Sequence, residues 1–274
     1  MKMPKMIALT CVTLATLVIS SASMADHSWG KYKWKPASVL LNLELGENLS
    51  GNWGAHLTLA STDWNTSQVL GTKVVLGSTQ SDPVSCNPET GNVQVCNAEY
   101  GDNGWLGIAK IYIARGRTIT AGVAMLNDTY YKMQYYNTPA WRQMVMCQEI
   151  AHTFGLDHQD ATFDNVNLGT CMDYTDDPDG SIDGELSNEH PNQHDYDQLE
   201  TMYGSSDGDD GSGKSCNPKS PKCNLATAAR GHAQWGQLMS GHGSTEIYEL
   251  SIGGGRKVIT FVTWALEHAD SHKH

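Results

Sequence analysis

One eleven-residue segment decides how this sequence is interpreted: Gln148-Glu149-Ile150-Ala151-His152-Thr153-Phe154-Gly155-Leu156-Asp157-His158. On an α-helix, residues four apart lie about one turn from each other on the same face, so Gln148 and His152 are neighbours. Glu149 lies beside them. Gly155 is typical of the left-handed residue that ends a helix, and the reversal it allows brings His158 back toward His152. The segment therefore gathers two imidazoles, an amide oxygen and a carboxylate.

The residues before this segment predict the helix that carries it. Thr138 can cap the N-terminus, and Pro139 suits the first helical position, where its missing N–H has no partner to lose. Helix-compatible residues continue to Phe154. Two imidazoles, a third donor and a nearby carboxylate are what a hydrolytic zinc site requires: an open position for water and a base that takes its proton.

The segment resembles the extended metzincin motif of zinc proteases, H-E-x-x-H-x-x-G-x-x-H. Downstream, the chain has a counterpart of the Met-turn, a tight loop that places a methionine beneath the metal, in Thr170-Cys171-Met172-Asp173-Tyr174. Met172 follows His158 by 14 residues, which suits that family. Residues 194–203 are similar to the helix that closes a matrixin-like catalytic domain.

This resemblance covers residues 50–204 and implies an α+β fold. The metzincin catalytic domain it implies has a twisted mixed sheet, an active-site helix, a Met-turn and a closing helix. A small C-terminal β-rich appendage lies outside the match.

One residue departs from the family pattern, because Gln148 stands where the family has its first zinc-binding histidine. A glutamine oxygen is a neutral, harder and weaker donor to Zn²⁺ than imidazole. Three interpretations follow: Gln148 binds zinc through Oε1 at a weaker or retuned site; the site keeps His152 and His158 and another group or water completes it; or the protein is an inactive pseudoprotease. The retention of Glu149 and Met172 argues against the last.

The resemblance implies a secreted, zinc-dependent endopeptidase that hydrolyses peptide bonds without a covalent intermediate. His152, His158 and Gln148 would hold the zinc, which lowers the pKa of a bound water. Glu149 would accept the proton of that water and deliver it to the leaving amine. The alternative is a catalytically inactive metal-binding or peptide-binding protein on the same fold, and a secreted adhesion module with an incidental histidine cluster is a further rival.

Two further expectations concern the surroundings of the site. Tyr174 resembles the tyrosine that astacins and serralysins place near zinc, and a packed loop tyrosine is the alternative. Residues 106–114 predict a strand, and the family architecture implies that this strand is the sheet edge with which an extended protein or peptide substrate pairs.

Residues 1–25 predict a signal peptide, with basic Lys2 and Lys5, an apolar stretch over residues 7–20, and cleavage after Ala25. The chain is therefore expected to be secreted or periplasmic, without stable membrane association after cleavage. The net charge of −12 repels phosphate backbones, so nucleic acid is not expected as a partner. Six cysteines remain after cleavage, and sequential disulfides are expected between Cys86, Cys96, Cys147, Cys171, Cys216 and Cys223.

Composition divides the rest of the chain. Residues 26–49 are a lead-in, residues 205–224 an acidic, Gly-rich linker with Cys216 and Cys223, and residues 225–274 a β-hairpin module. Strands are predicted at residues 39–45, 72–76, 106–114 and 119–126, and a helix at 55–68. Residues 82–97 look like an irregular Pro/Gly/Asn-rich excursion. A hairpin is predicted from residues 245–252 and 257–266.

Other polar residues fit weaker hypotheses. The Asp-rich stretch of residues 173–185 is predicted to be a solvated loop, with a Ca²⁺ site as the alternative, because it lacks the EF-hand spacing. Five histidines lack ligand spacing and are predicted to lie at the surface, with His194 held as a reserve ligand: His56, His190, His194, His232 and His242.

Overall fold

The computed structural model describes residues 26–204 and 234–266, except for positions 31, 37, 39, 115, 161, 163, 164, 183, 243 and 244. The predicted signal peptide, the predicted linker and the predicted pairing of Cys216 with Cys223 lie outside the described residues. Within the described part of the chain, no helix has both the length and the apolar character needed to span a bilayer.

The described residues form an α+β fold of nine strands and four helices. In chain order these are β1 (Lys33–Trp34), β2 (Leu41–Asn48), α1 (Trp53–Trp64), β3 (Leu70–Leu76), β4 (Val93–Ala98), β5 (Trp105–Ile113), β6 (Thr118–Asn127), α2 (Asp128–Tyr131), α3 (Pro139–Thr153), α4 (Gln193–Tyr203), β7 (Gln237–His242), β8 (Thr245–Gly253) and β9 (Arg256–Trp264).

All nine strands belong to one mixed sheet, in the order β3-β2-β4-β6-β5-β9-β8-β7, with β1 paired to β6. The pairs among β1, β2, β3, β4 and β6 are parallel. The pairs made by β5, β7, β8 and β9 are antiparallel. The predicted α+β class is thus confirmed.

Most predicted elements are present, and one was missed. The helix predicted at residues 55–68 is α1, which begins and ends earlier, at Trp53 and Trp64. The prediction of an irregular excursion over residues 82–97 is wrong in its second half, because Val93–Ala98 is the buried strand β4. The Pro/Gly-rich residues before it obscured the strand, and its polar residues Gln94 and Asn97 are buried, so they mark no solvent-exposed face.

The prediction that β5 is a free sheet edge is wrong. Strand β9 pairs with it antiparallel along its length, from Trp105 opposite Trp264 to Ile113 opposite Lys257. Residues 258–264 of β9 are all buried, and a strand buried on both faces needs neighbours on both sides. The neighbours of β9 are β5 and β8.

The predicted C-terminal hairpin is confirmed as β8 and β9, and it continues the sheet of residues 41–127. The two strands join at Gly253, Gly254 and Gly255, which all have positive φ. Phe261 packs in the same core as α3, whereas Val262 packs in a second cluster on the other face. Residues 258–264 of the hairpin are therefore buried against the rest of the protein on both faces, whereas its glycine turn is exposed.

Candidate active site

Helix α3 positions the predicted catalytic residues, and both of its ends follow from local sequence. Thr138 Oγ1 accepts a hydrogen bond from Trp141 N at 3.2 Å, and Pro139 is the first helical residue. At the other end Gly155 has a φ of 96°. A Cβ there would lie 2.3 Å from the backbone oxygen of Tyr32, so both the left-handed backbone and the close contact require glycine.

Two sheet glycines let α3 approach the strands closely. A Cβ on Gly107 of β5 would lie 2.4 Å from Glu149 Oε1. A Cβ on Gly122 of β6 would lie 2.9 Å from Thr153 Cβ. Glu149 therefore lies directly over β5, where a side chain larger than hydrogen has no room.

His152 and His158 come together as the sequence predicts, with ring centroids 4.6 Å apart. His152 Nδ1 lies 2.9 Å from Leu156 O, so the donated proton is on Nδ1 and Nε2 keeps its lone pair. The Nε2 atoms of both histidines are buried and have no hydrogen-bond partner among the described residues. Burial, and then the neighbouring His158, lower the pKa of His152 to about 3. His152 is thus neutral, as a metal ligand must be.

Gln148 and Glu149 are both in contact with Thr263 of β9. Thr263 Oγ1 lies 2.9 Å from Gln148 Oε1 and 2.7 Å from Glu149 Oε1. Burial raises the pKa of Glu149 to about 8, and the hydrogen bond with Thr263 opposes the rise. Because a hydroxyl has one proton, Thr263 donates to one of these two oxygens at a time or shares its proton between them. Glu149 Oε2 is buried without a hydrogen-bond partner.

Strand β9 covers the predicted site. The ring of Phe261 stacks on His152 with centroids 4.5 Å apart and planes 5° apart. Tyr174, which the family resemblance places near the zinc, donates its hydroxyl proton to Trp264 O at 2.6 Å. The side chains of Gln148 and Glu149 are 0% exposed, so no substrate reaches them in this conformation.

The loop of residues 170–174 lies against α3. The Cys147–Cys171 disulfide joins the two, and Gln148 Nε2 donates to Cys171 O at 3.0 Å. Met172 is fully buried in the same core. This disulfide and Cys86–Cys96 confirm the sequential pairing for the described cysteines. That this loop is a Met-turn, with Met172 beneath a metal ion, stays a prediction.

The acidic loop uses two buried carboxylates to hold its own backbone. Asp173 Oδ2 accepts hydrogen bonds from Leu168 N at 2.8 Å and from Asn188 Nδ2 at 2.9 Å. Asp177 Oδ2 accepts one from Ile182 N at 2.7 Å. Calcium binding by this loop stays a prediction.

Three residues that the sequence did not bring together meet beside the site, and we call them the N-terminal cluster: His27, His194 and Asp195. One potential ligand atom from each lies within 4.8 Å of the other two. The rings of His27 and His194 stack with centroids 4.8 Å apart. Burial lowers the pKa of His27 and raises that of Asp195 to about 6.

The sequence analysis missed His27, and it placed His194 at the surface with a reserve role as a ligand. The structure leaves His194 half-buried, with its Nδ1 buried and without a hydrogen-bond partner. His27 and His194 lie far apart in the chain, so no short spacing motif joins them. The cluster can therefore be recognised only from the tertiary contacts of the folded chain.

Comparison with known proteins adds little to this geometry. No protein-family model and no curated protein matches the sequence. Among solved structures, the chain is similar to High choriolytic enzyme 1, a hatching enzyme zinc-protease from the medaka fish Oryzias latipes. The identity is 11%, the match covers 63% of this chain and 94% of that chain, and the TM-score is 0.35. A likeness this weak carries no argument about function.

Proposed function

We propose that this protein is a zinc-dependent endopeptidase in a closed form, with Glu149, His152 and His158 as its working residues. One observation carries the proposal. His152 Nε2, His158 Nε2 and Glu149 Oε2 are buried without hydrogen-bond partners, at the end of one helix and the turn that follows it. Buried polar atoms are otherwise almost always paired, and unpaired ones concentrate at functional sites.

The donor set fits zinc in part. Two neutral imidazole nitrogens suit Zn²⁺, and Leu156 O orients one of the rings in the way outer-shell partners of zinc ligands do. Gln148 Oε1 accepts a hydrogen bond from Thr263 in the closed form, and movement of β9 away from the site would release it fully as a third donor. Zinc bound here would act as a Lewis acid that activates water and polarises the scissile carbonyl.

Glu149 is placed to move the proton. Its carboxylate stands one residue from Gln148 and one turn from His152, with Oε2 free of hydrogen bonds. In an open site this oxygen would take a proton from the attacking water and return it to the leaving amine. Gly107 leaves the space that the carboxylate occupies over β5.

Strand β9 indicates how a substrate would lie. An extended peptide in its place would pair antiparallel with β5, as β9 does. The peptide residue at the position of Thr263 would then lie beside Gln148 and Glu149. Substrate and β9 would compete for the same edge, so the full chain is expected to be latent until the hairpin leaves.

The alternative function is an inactive protein that binds metal or peptide on the same fold. The hydrogen bonds at both ends of the Gln148 amide favour it, because Cys171 O and Thr263 together give that side chain a purely structural use. The two proposals differ in whether the protein hydrolyses a peptide substrate: the endopeptidase does, and the binding protein does not.

Hydrolysis of a fluorogenic casein by the full chain, and by a Val262→Pro variant with a weakened β9, tests the proposal. We expect turnover in the variant that a zinc chelator removes and that Glu149→Ala on the same background abolishes. Glu99→Ala, which changes an exposed carboxylate, is the matched control. Turnover that survives Glu149→Ala would contradict the mechanism, and zinc binding without any turnover would establish the alternative.

A further inference from the structure

We propose that His27, His194 and Asp195 form a second metal site, for a zinc-like divalent transition-metal ion. The N-terminal cluster contains none of the residues assigned to catalysis above. The inference therefore stands whether or not the protein is a peptidase.

The ligand atoms are already near the spacing that zinc imposes. With bonds of 2.0–2.2 Å, two tetrahedral ligands of Zn²⁺ lie about 3.4 Å apart. His27 Nε2 lies 3.7 Å from Asp195 Oδ1. All three candidate atoms lie within 4.8 Å of one another, so small side-chain rotations would close the set around one ion.

The three atoms also lack other partners. His27 Nε2, His194 Nδ1 and Asp195 Oδ1 are all buried without hydrogen bonds among the described residues. His27 is 5% exposed and Asp195 is 0% exposed. Buried polar atoms are almost always paired, and three unpaired atoms on the residues of one such cluster indicate a shared partner.

The surrounding hydrogen bonds prepare His27 and Asp195 as ligands. His27 Nδ1 lies 3.0 Å from Asp157 O, so it carries the proton and Nε2 presents a lone pair. Asp195 Oδ2 accepts from Thr170 Oγ1 at 2.5 Å and from Asn192 N at 2.8 Å, which holds the carboxylate and leaves Oδ1 for the ion.

An ion explains the cluster better than an ion pair does. A direct bond between His27 and Asp195 would satisfy two of the three atoms and leave His194 Nδ1 buried without a partner. Two imidazole nitrogens and one carboxylate oxygen suit zinc and its neighbours, whereas calcium and magnesium prefer oxygen alone. Because His194 is half-buried, solvent can supply the remaining position.

The ion would hold two distant parts of the chain together. His27 belongs to the N-terminal segment, and His194 and Asp195 belong to the first turn of α4. Asp157 N also donates to His27 O at 2.5 Å, so the same segment supports the loop that carries His158. We therefore assign the site a structural role.

Metal content of the untagged full chain tests the proposal. After saturation with zinc and dialysis, we expect His194→Ala and Asp195→Asn each to hold one zinc equivalent fewer than the unchanged protein. The fall is from two to one if the catalytic residues also bind zinc, and from one to none if they do not. Added zinc should also raise the melting temperature of the unchanged protein more than that of either variant.

The matched control is His190→Ala. His190 Nδ1 lies 2.7 Å from Asp63 Oδ2, which makes a histidine–carboxylate pair at the surface with no third ligand among the residues that the structure describes. Its removal should leave zinc content and the zinc-induced rise in melting temperature unchanged. Equal zinc content in the unchanged protein, His194→Ala and Asp195→Asn would overturn the proposal and leave His27 and Asp195 as an ion pair.

Discussion

The side chain of Gln148 has a structural use at a position that the sequence predicts to be a metal ligand. Its Nε2 bonds the loop through Cys171 O, while its Oε1 receives Thr263 from the covering strand. The sequence places this glutamine among the ligand positions because of its spacing from His152. The competing hydrogen bonds could not be foreseen, because Thr263 is distant in the chain and its partner strand is set by tertiary packing.

Replacing Gln148 tests its part in metal binding. Gln148→His should tighten zinc binding by roughly tenfold or more, since even outer-shell changes alter zinc affinity about 10–100-fold. Competition with a chromophoric chelator measures the affinity. Gln143→His is the control, because Gln143 is buried on the same helix but bonds His56 instead. Unchanged affinity in Gln148→His would show that position 148 is not a ligand position.

Asp173 gives the stability of the protein a pH dependence. Burial raises the pKa of its carboxyl to about 6, from an ordinary value of 3.8. Between these values the folded state binds more protons than the unfolded state, so this stabilising contribution is full below pH 3.8 and lost as the pH rises through 6. Relative to Asp173→Asn, the free energy of unfolding of the unchanged protein should fall by about 2 kcal/mol from pH 4 to 7.

Urea unfolding of both proteins at several pH values measures this difference. The asparagine removes the titration and keeps the size of the side chain. A difference that stays constant, or grows with pH, would contradict the raised pKa.

At the scale of elements, the position of α3 depends on the strands beneath it. Its cap, its first proline and its terminal glycine were predictable, because each acts within a few residues of the helix end. The contact with β5 and β6 was not, because it depends on Gly107 and Gly122 facing the helix. A glycine in a strand indicates that another element approaches the strand closely. The sequence does not show that this element is α3.

Gly107→Ala tests this contact. The added Cβ would lie 2.4 Å from Glu149 Oε1 and 2.7 Å from Val145 Cγ1. We expect a loss of about 1–3 kcal/mol in the free energy of unfolding, as for overpacked cores. Gly241→Ala on the exposed side of β7, where the nearest atom is 3.3 Å away, should change it little. Equal effects of the two substitutions would mean that α3 moves freely on the sheet.

At the scale of the molecule, the hairpin of β8 and β9 covers the proposed site. The sequence predicted the hairpin, because its strands and triple glycine are local features. Its pairing with β5 was not predictable, since a strand pattern states which residues are buried and not which strand lies beside it. The family resemblance led to the opposite expectation of a free edge. The closed site thus comes from residues outside the part of the chain that carries the resemblance.

Val262→Pro should open the site. Val262 pairs with Ile108 of β5 and Glu246 of β8, and proline removes a ladder donor from a central strand. We expect casein turnover to rise roughly tenfold or more, because each 1.4 kcal/mol lost from the closed form multiplies the open fraction by ten. Ser240→Pro in β7, the outermost strand, is the control.

A synthetic peptide of residues 256–264 should inhibit the opened variant, whereas a scrambled peptide should not. Limited proteolysis reports whether the hairpin has left. Release of the hairpin in Val262→Pro without any gain in turnover would refute latency by β9.

The pairing of β5 with β9 also means that β5 is synthesised well before the strand that pairs with it. Lys257 is made roughly 140 residues after its partner Ile113, a delay of about 7–30 s at ordinary rates of translation. Until then the side of β5 that faces away from β6 has no strand to bond, and such edges invite association between chains. The sheet is therefore completed by residues made long after β5, and a growing chain is exposed to aggregation along β5 until they emerge.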